Sequence, residues 1–223
     1  GAAPEAAVAP APAGTAAAWR IPSGEYVLAV SWQPSFCEIE PDKRECRTDR
    51  AAGPAGESLA LHGLWFRDRD RVFCDPSSRP REAAGRGRAP RTDLSPAVER
   101  ALADAMPGVA SDLHDHQWRK HGTCFGVPAD DYFAAAVHLL EAVSASAVGD
   151  LLRDSTGAFL TAREVRAAFD AAFGRGAGDR VFLVCERDGP RTLLVELRIS
   201  LAGAIGPDTT LSDLVRRAPR AGG

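Results

Sequence analysis

The order in which strand-like and helix-like segments follow one another constrains this chain more than any single residue does. Glu25–Trp32 (EYVLAVSW) alternates like a half-buried strand, with Pro34 ending it. Ser58–Trp65 (SLALHGLW) reads the same way; Gly63 allows a bulge or a close backbone approach, and His62 falls on the strand or at its end. Helical patterns then take over. Leu94–Met106 has Ser95 placed as N-cap and Pro96 at the first helical position. The runs Asp130–Leu152 and Thr161–Phe173 follow as helices, the second opening with Thr161 and Glu164 at capping-box spacing. Arg180–Leu201 closes the pattern as two strands around Asp188-Gly189-Pro190, a hairpin signal. Strands first, helices in the middle and a hairpin last make an α+β layout, not the strict alternation of a doubly wound sheet.

With 223 residues and 45% hydrophobic content, the chain can build one domain with a real core, expected over residues 19–223. Residues 1–18 are Ala/Pro-rich with almost no large apolar side chain, so they are expected to be a disordered tail. No run approaches the ~20 apolar residues that span a bilayer, so a soluble protein without membrane contact is expected. A net charge of −3 gives no global attraction to a polyanion, and any such binding must come from a local patch. The irregular, arginine-rich stretch between Arg67 and Arg91 is one candidate patch, although such a loop is as readily a solvated one.

The five cysteines, at 37, 46, 74, 124 and 185, lack the C-x-x-C spacing of a zinc or thioredoxin-like site. Cys37 and Cys46 are near enough to close a small loop, and Cys74 can pair with Cys124 at long range, which suits an oxidising compartment. An odd count leaves one thiol over. No basic start followed by an apolar stretch marks a signal peptide, as in a mature periplasmic or secreted chain whose signal has been removed, or in a trimmed one.

Histidine and lysine are scarce, yet His116–Cys124 (HQWRKHGTC) gathers two of the five histidines and one of the two lysines. If the segment is helical, Lys120 lies about 40°, Gln117 about 100° and His121 about 140° around from His116, while Trp118 and Arg119 point elsewhere. Two imidazoles, an amide and an ammonium then share one face, and Gly122 stops the helix. His114 falls near the same arc, but with Asp115 beside it a solvated first turn serves as well. Metal binding by His114, His116 and His121 lacks a convincing further ligand, and the ammonium would repel a cation. A nucleophilic Cys124 is less economical than a disulfide to Cys74. Acid–base work on a phosphodiester asks for one neutral imidazole, one protonated imidazole and cationic donors for the developing charge.

Leu61–Trp65 (LHGLW) together with HQWRKHGTC resembles the two active-site segments of the ribonuclease T2 family, and Val27–Cys37 (VLAVSWQPSFC) resembles the family's first core strand. The resemblance runs from Tyr26 to the final hairpin, in the style of the family's bacterial periplasmic members. It implies an α+β fold with a central, mainly antiparallel sheet packed by helices, and an endoribonuclease that needs no metal or other cofactor. His121 would then be the general base, His62 the general acid, His116 a phosphate holder and Lys120 the charge stabiliser, with Trp65 lining a base site. RNA would be cut to 2′,3′-cyclic phosphate and 5′-hydroxyl ends, and DNA, which lacks the nucleophile, would bind without being cut. Nothing points to an obligatory protein partner, so a monomer is expected.

Two departures from the family pattern stand out. Gln117 replaces a usual glutamate, and its amide can still donate a hydrogen bond to a phosphoryl oxygen. Phe66 and Arg67 replace the usual proline and the acid that often follows it, so Arg67 makes a different substrate-binding position and base preference does not carry over. A non-catalytic RNA-binding module on the same scaffold is the alternative that these departures raise.

Overall fold

The computed structural model of the chain describes residues 19–47, 58–78 and 91–222. The expected tail, residues 1–18, and residues 79–90 of the arginine-rich stretch lie outside the described residues. Among the described residues four strands form one antiparallel sheet: β1 (Ile21–Trp32), β2 (Leu59–Phe66), β3 (Val181–Asp188) and β4 (Arg191–Ile205), in the order β2-β1-β4-β3. The hairpin β3–β4 turns at Gly189 and Pro190, as its sequence predicts. Among the described residues seven α-helices accompany the sheet in an α+β arrangement: α1 (Gln33–Ile39), α2 (Pro96–Ala105), α3 (Leu113–Lys120), α4 (Ala129–Ser144), α5 (Ala147–Asp154), α6 (Ala162–Phe173) and α7 (Leu211–Arg217).

The sheet is two-faced because its strands alternate. Tyr26, Leu28 and Val30 of β1, Leu64 of β2 and Leu197, Ile199 and Leu201 of β4 are buried on one face, where α4 packs on β1 and β2 and α7 on β4. Each fully buried side chain of this size contributes about 1.5–3 kcal/mol. Tyr132 of α4 is also buried and donates its hydroxyl to the Leu64 carbonyl at 2.8 Å, which fixes the helix against β2. The opposite face carries Val27, Ala29, Trp65, Glu196, Arg198 and Ser200, placed there by the same alternation and register.

The capping signals at Ser95 and Thr161 are realised. Ser95 accepts from Val98 N, and Thr161 and Glu164 form a complete capping box. The single helix expected over Asp130–Leu152 is instead two, α4 and α5, bent by 64° at a short break. Ser146 causes the break by capping α5 through Val148 N and donating back to the Val143 carbonyl. Gly149 permits it, since a Cβ there would meet the Ser144 carbonyl oxygen at 2.1 Å. Both anticipated disulfides form, Cys37–Cys46 and Cys74–Cys124, and Cys185 is the unpaired, exposed thiol.

Candidate active site

On the polar face of the sheet lies a cleft of roughly 650 Å³. The expected site residues meet here: β2 and the residue after it supply His62, Trp65 and Arg67; α3 and its C-terminal cap supply His116, Gln117, Lys120 and His121.

His62 owes its place to a bulge. Ala29 pairs with Gly63 and Val30 with Leu61, so the intervening His62 has no partner on β1. Gly63 serves the close approach as well, because a Cβ on it would lie 2.3 Å from Gln117 Oε1 and 2.5 Å from Trp65 Nε1. Through that gap Trp65 Nε1 donates to Gln117 Oε1 at 2.7 Å. An indole N–H only donates, so the amide oxygen is committed to Trp65 and the Nε2 donor of Gln117 is left to the cleft.

α3 runs one turn further toward the N-terminus than the motif alone indicates, and it ends where Gly122 predicts. Its C-terminal end is tied down three ways: Phe73 N donates to the Lys120 carbonyl at 2.8 Å, Arg71 Nη2 donates to the Cys124 carbonyl at 3.2 Å, and Cys124 is bonded to Cys74. Trp118 points away from the cleft and packs on Tyr132. His114 is not in a solvated turn. It and Asp115 are both buried, His114 Nε2 lies 3.6 Å from Asp115 Oδ1, and that oxygen accepts from Thr92 N at 2.6 Å. The trio His114, His116 and His121 is thus not brought together as a ligand set.

Trp65 stands between the two outer histidines. Its ring meets His62 edge-on at 5.1 Å and His121 at 5.3 Å with 30° between the planes, so the indole sets their spacing. Arg67 sits on the rim, donating to the Arg220 carbonyl at 3.3 Å, with its Nε 3.9 Å from Glu25 Oε2.

Two residues of β4 complete the site. Glu196 is buried; its Oε2 lies 2.5 Å from His62 Nδ1 and its Oε1 accepts from Arg198 Nε at 2.6 Å. The Arg198 guanidinium carbon lies 5.5 Å from the Trp65 ring centroid. In the sequence, Glu196, Arg198 and Ser200 at period two mark only a polar face of a strand whose other face is apolar, and nothing there ties them to His62.

The electrostatics separate these groups. Burial, then the charges of Lys120, His116 and His62, push the His121 imidazole down to about 3. His116 is also lowered, by partial burial and then by Lys120, Arg119 and His62. Burial pushes the Glu196 carboxyl up, but the hydrogen bonds and charges of His62 and Arg198 outweigh it and hold the group below the usual carboxylate range. At neutral pH the cleft therefore holds a neutral His121 on one side of Trp65 and, on the other, His62 backed by a carboxylate anion.

The model of the ribonuclease T2 family matches residues 23–209. Ribonuclease I of Escherichia coli is 31% identical over 200 residues, covering 79% of this chain and 74% of its own. A ribonuclease of Aeromonas hydrophila is 36% identical over 115 residues, 51% of this chain and 43% of its own. Among solved structures, RNase NT in complex with 5′-AMP superposes with a TM-score of 0.54 at 16% identity, covering 81% of this chain and 86% of that one, a likeness of fold.

Proposed function

Because the chain belongs to the ribonuclease T2 family and is an endoribonuclease, we propose that it cuts single-stranded RNA by moving the phosphoryl group onto the adjacent 2′-oxygen, without a metal. The observation that carries this reading is the pair of imidazoles held apart by Trp65, one neutral and one with a carboxylate at its rear nitrogen.

His121 takes the proton of the ribose 2′-hydroxyl, which attacks the phosphorus. The 2′-O–P bond forms as the P–O5′ bond breaks, and His62 Nε2 gives its proton to the departing 5′-oxygen. His116 and Lys120 hold the phosphate, and the Gln117 amide N–H completes the donor set for the growing negative charge. These donors provide the charge stabilisation that a metal would provide elsewhere. The products are a 2′,3′-cyclic phosphate and a 5′-hydroxyl, with slower hydrolysis of the cyclic ester afterwards. Gln117 in place of a carboxylate leaves the base role to His121 alone.

The two disulfides support residence in an oxidising compartment, the periplasm or the cell exterior.

The test is a digest of a defined RNA, and of DNA of the same sequence, in EDTA with both ends of every product mapped. Cyclic-phosphate and 5′-hydroxyl ends with intact DNA are expected; loss of cutting in EDTA, or 5′-phosphate ends, would overturn the reading. In the same assay His62→Ala and His121→Ala should each slow cleavage by about 100-fold or more, the scale of a positioned proton transfer.

A further inference from the structure

Glu196 takes no part in the reaction as just described, yet its placement is costly. A carboxylate buried on a central strand is unfavourable unless its charge is compensated and its oxygens are bonded. Here both oxygens are used, one on His62 Nδ1 and the other on Arg198 Nε. The geometry needed to reach His62 is also specific. Glu196 stands on β4 and His62 on β2, with β1 between them; Glu196 pairs with Ser31, and Arg198 with Ala29, so the residues under the crossing are small. His62, displaced by the bulge, has no partner on β1 to orient it. Its ring meets the edge of Trp65 and the carboxylate of Glu196.

Other charged groups also face His62. His116, Lys120 and His121 of the α3 region lie across the cleft, and Lys43 and Glu45 line a smaller recess behind the ring. The Glu196 carboxylate is bonded to the ring at Nδ1.

We propose that Glu196 is a positioning residue of the active site, holding His62 with Nδ1–H turned inward and Nε2 facing the leaving group, and compensating the charge of the imidazolium before it donates. This rests on the acid role given to His62 above. In the step itself the Nε2 proton passes to the 5′-oxygen; the ring ends neutral with Nδ1–H still bonded to Glu196, which neither gains nor loses a proton.

A purely structural carboxylate and a positioning one differ in how the loss depends on the leaving group. The full chain and its Glu196→Gln variant, which keeps the shape and removes the charge, are compared on two substrates in EDTA. Uridylyl-3′,5′-adenosine must expel an alkoxide and needs the acid; uridine 3′-(4-nitrophenyl phosphate) expels a nitrophenolate and does not. The expected result is a fall in kcat of about tenfold or more on the dinucleotide with KM within about twofold, and a change of less than about threefold on the nitrophenyl ester. Retained ester cleavage doubles as the check that the variant is folded, and Glu196→Asp, too short to reach His62, should show the same selectivity. Equal losses on both substrates, or no loss on either, would overturn the inference and leave the function standing. His62→Ala distinguishes the two failures: equal losses on both substrates in that variant would remove the acid role of His62, and this inference with it.

Discussion

In the proposed reaction, a neutral imidazole at rest would let His121 act as a base without waiting for a proton to leave. With its pKa pushed down to about 3 by burial and by Lys120, His116 and His62, the ring is protonated in the free protein only in strong acid. The sign follows: activity that depends on the neutral ring is present above that value and is lost as pH falls through it. The acid limb of kcat/KM, which reports the free protein, should therefore lie below about pH 4.5, whereas an unperturbed imidazole would put it near 6.5. A measured acid limb near 6.5 would show that His121 is not the group titrating, or that its environment is wetter than described. At this scale much of the site was legible. His116, Lys120 and His121 are rare residue types crowded into one short segment, and chemistry is a more economical reason for that than chance. Glu196 was not legible, because a glutamate two residues before an arginine on a strand looks like an ordinary solvent-facing pair. Only the sheet order, which sets β4 one strand away from β2, turns that pair toward a histidine.

Among the elements, the bulged β2 does the most with the fewest residues. Gly63 has room for the Trp65–Gln117 hydrogen bond only because it has no side chain. Gly63→Ala should force the two apart, with the overpacking cost of about 1–3 kcal/mol seen when a methyl is forced into a filled space. In a chain of this length that amounts to a fall in Tm of several degrees, and cleavage should fall with it because α3 carries the other half of the site. A Tm and a rate matching the unchanged protein would sink this account of Gly63. The sequence named both uses of Gly63, bulge and close approach, and the structure has both. It did not disclose α1 or α7, each seven residues long, because periodicity needs a window longer than such helices to register. Nor did it divide α4 from α5. The apolar pattern continues across the bend, and what breaks it is a serine cap and a backbone contact that exist only once the chain is packed.

For the molecule as a whole, net charge and local charge point in opposite directions. The chain carries −3 overall, yet the cleft is lined by Arg67, Arg69, Lys120 and Arg198 with Asp68 as its acidic neighbour. A single-stranded DNA oligomer, which should bind without being cut, isolates the contribution of these cations. If about four of them meet phosphates, log Kd should rise with log salt with a slope of about 2 to 3. A slope near zero would show that the cleft holds its ligand by other contacts. Composition says only that any such binding needs a local patch; the sheet and α3 gather these cations in one cleft.

The order of the strands has one more consequence. Both motif segments have been synthesised by Cys124, but β1 has only β2 beside it until β4 arrives, some seventy residues later by the register of the sheet. Until then the two histidine-bearing segments can meet through Trp65 and Gln117, but Glu196 and Arg198 do not yet exist. The strand that brings a carboxylate to the back of His62 is thus the last strand of the sheet to be translated.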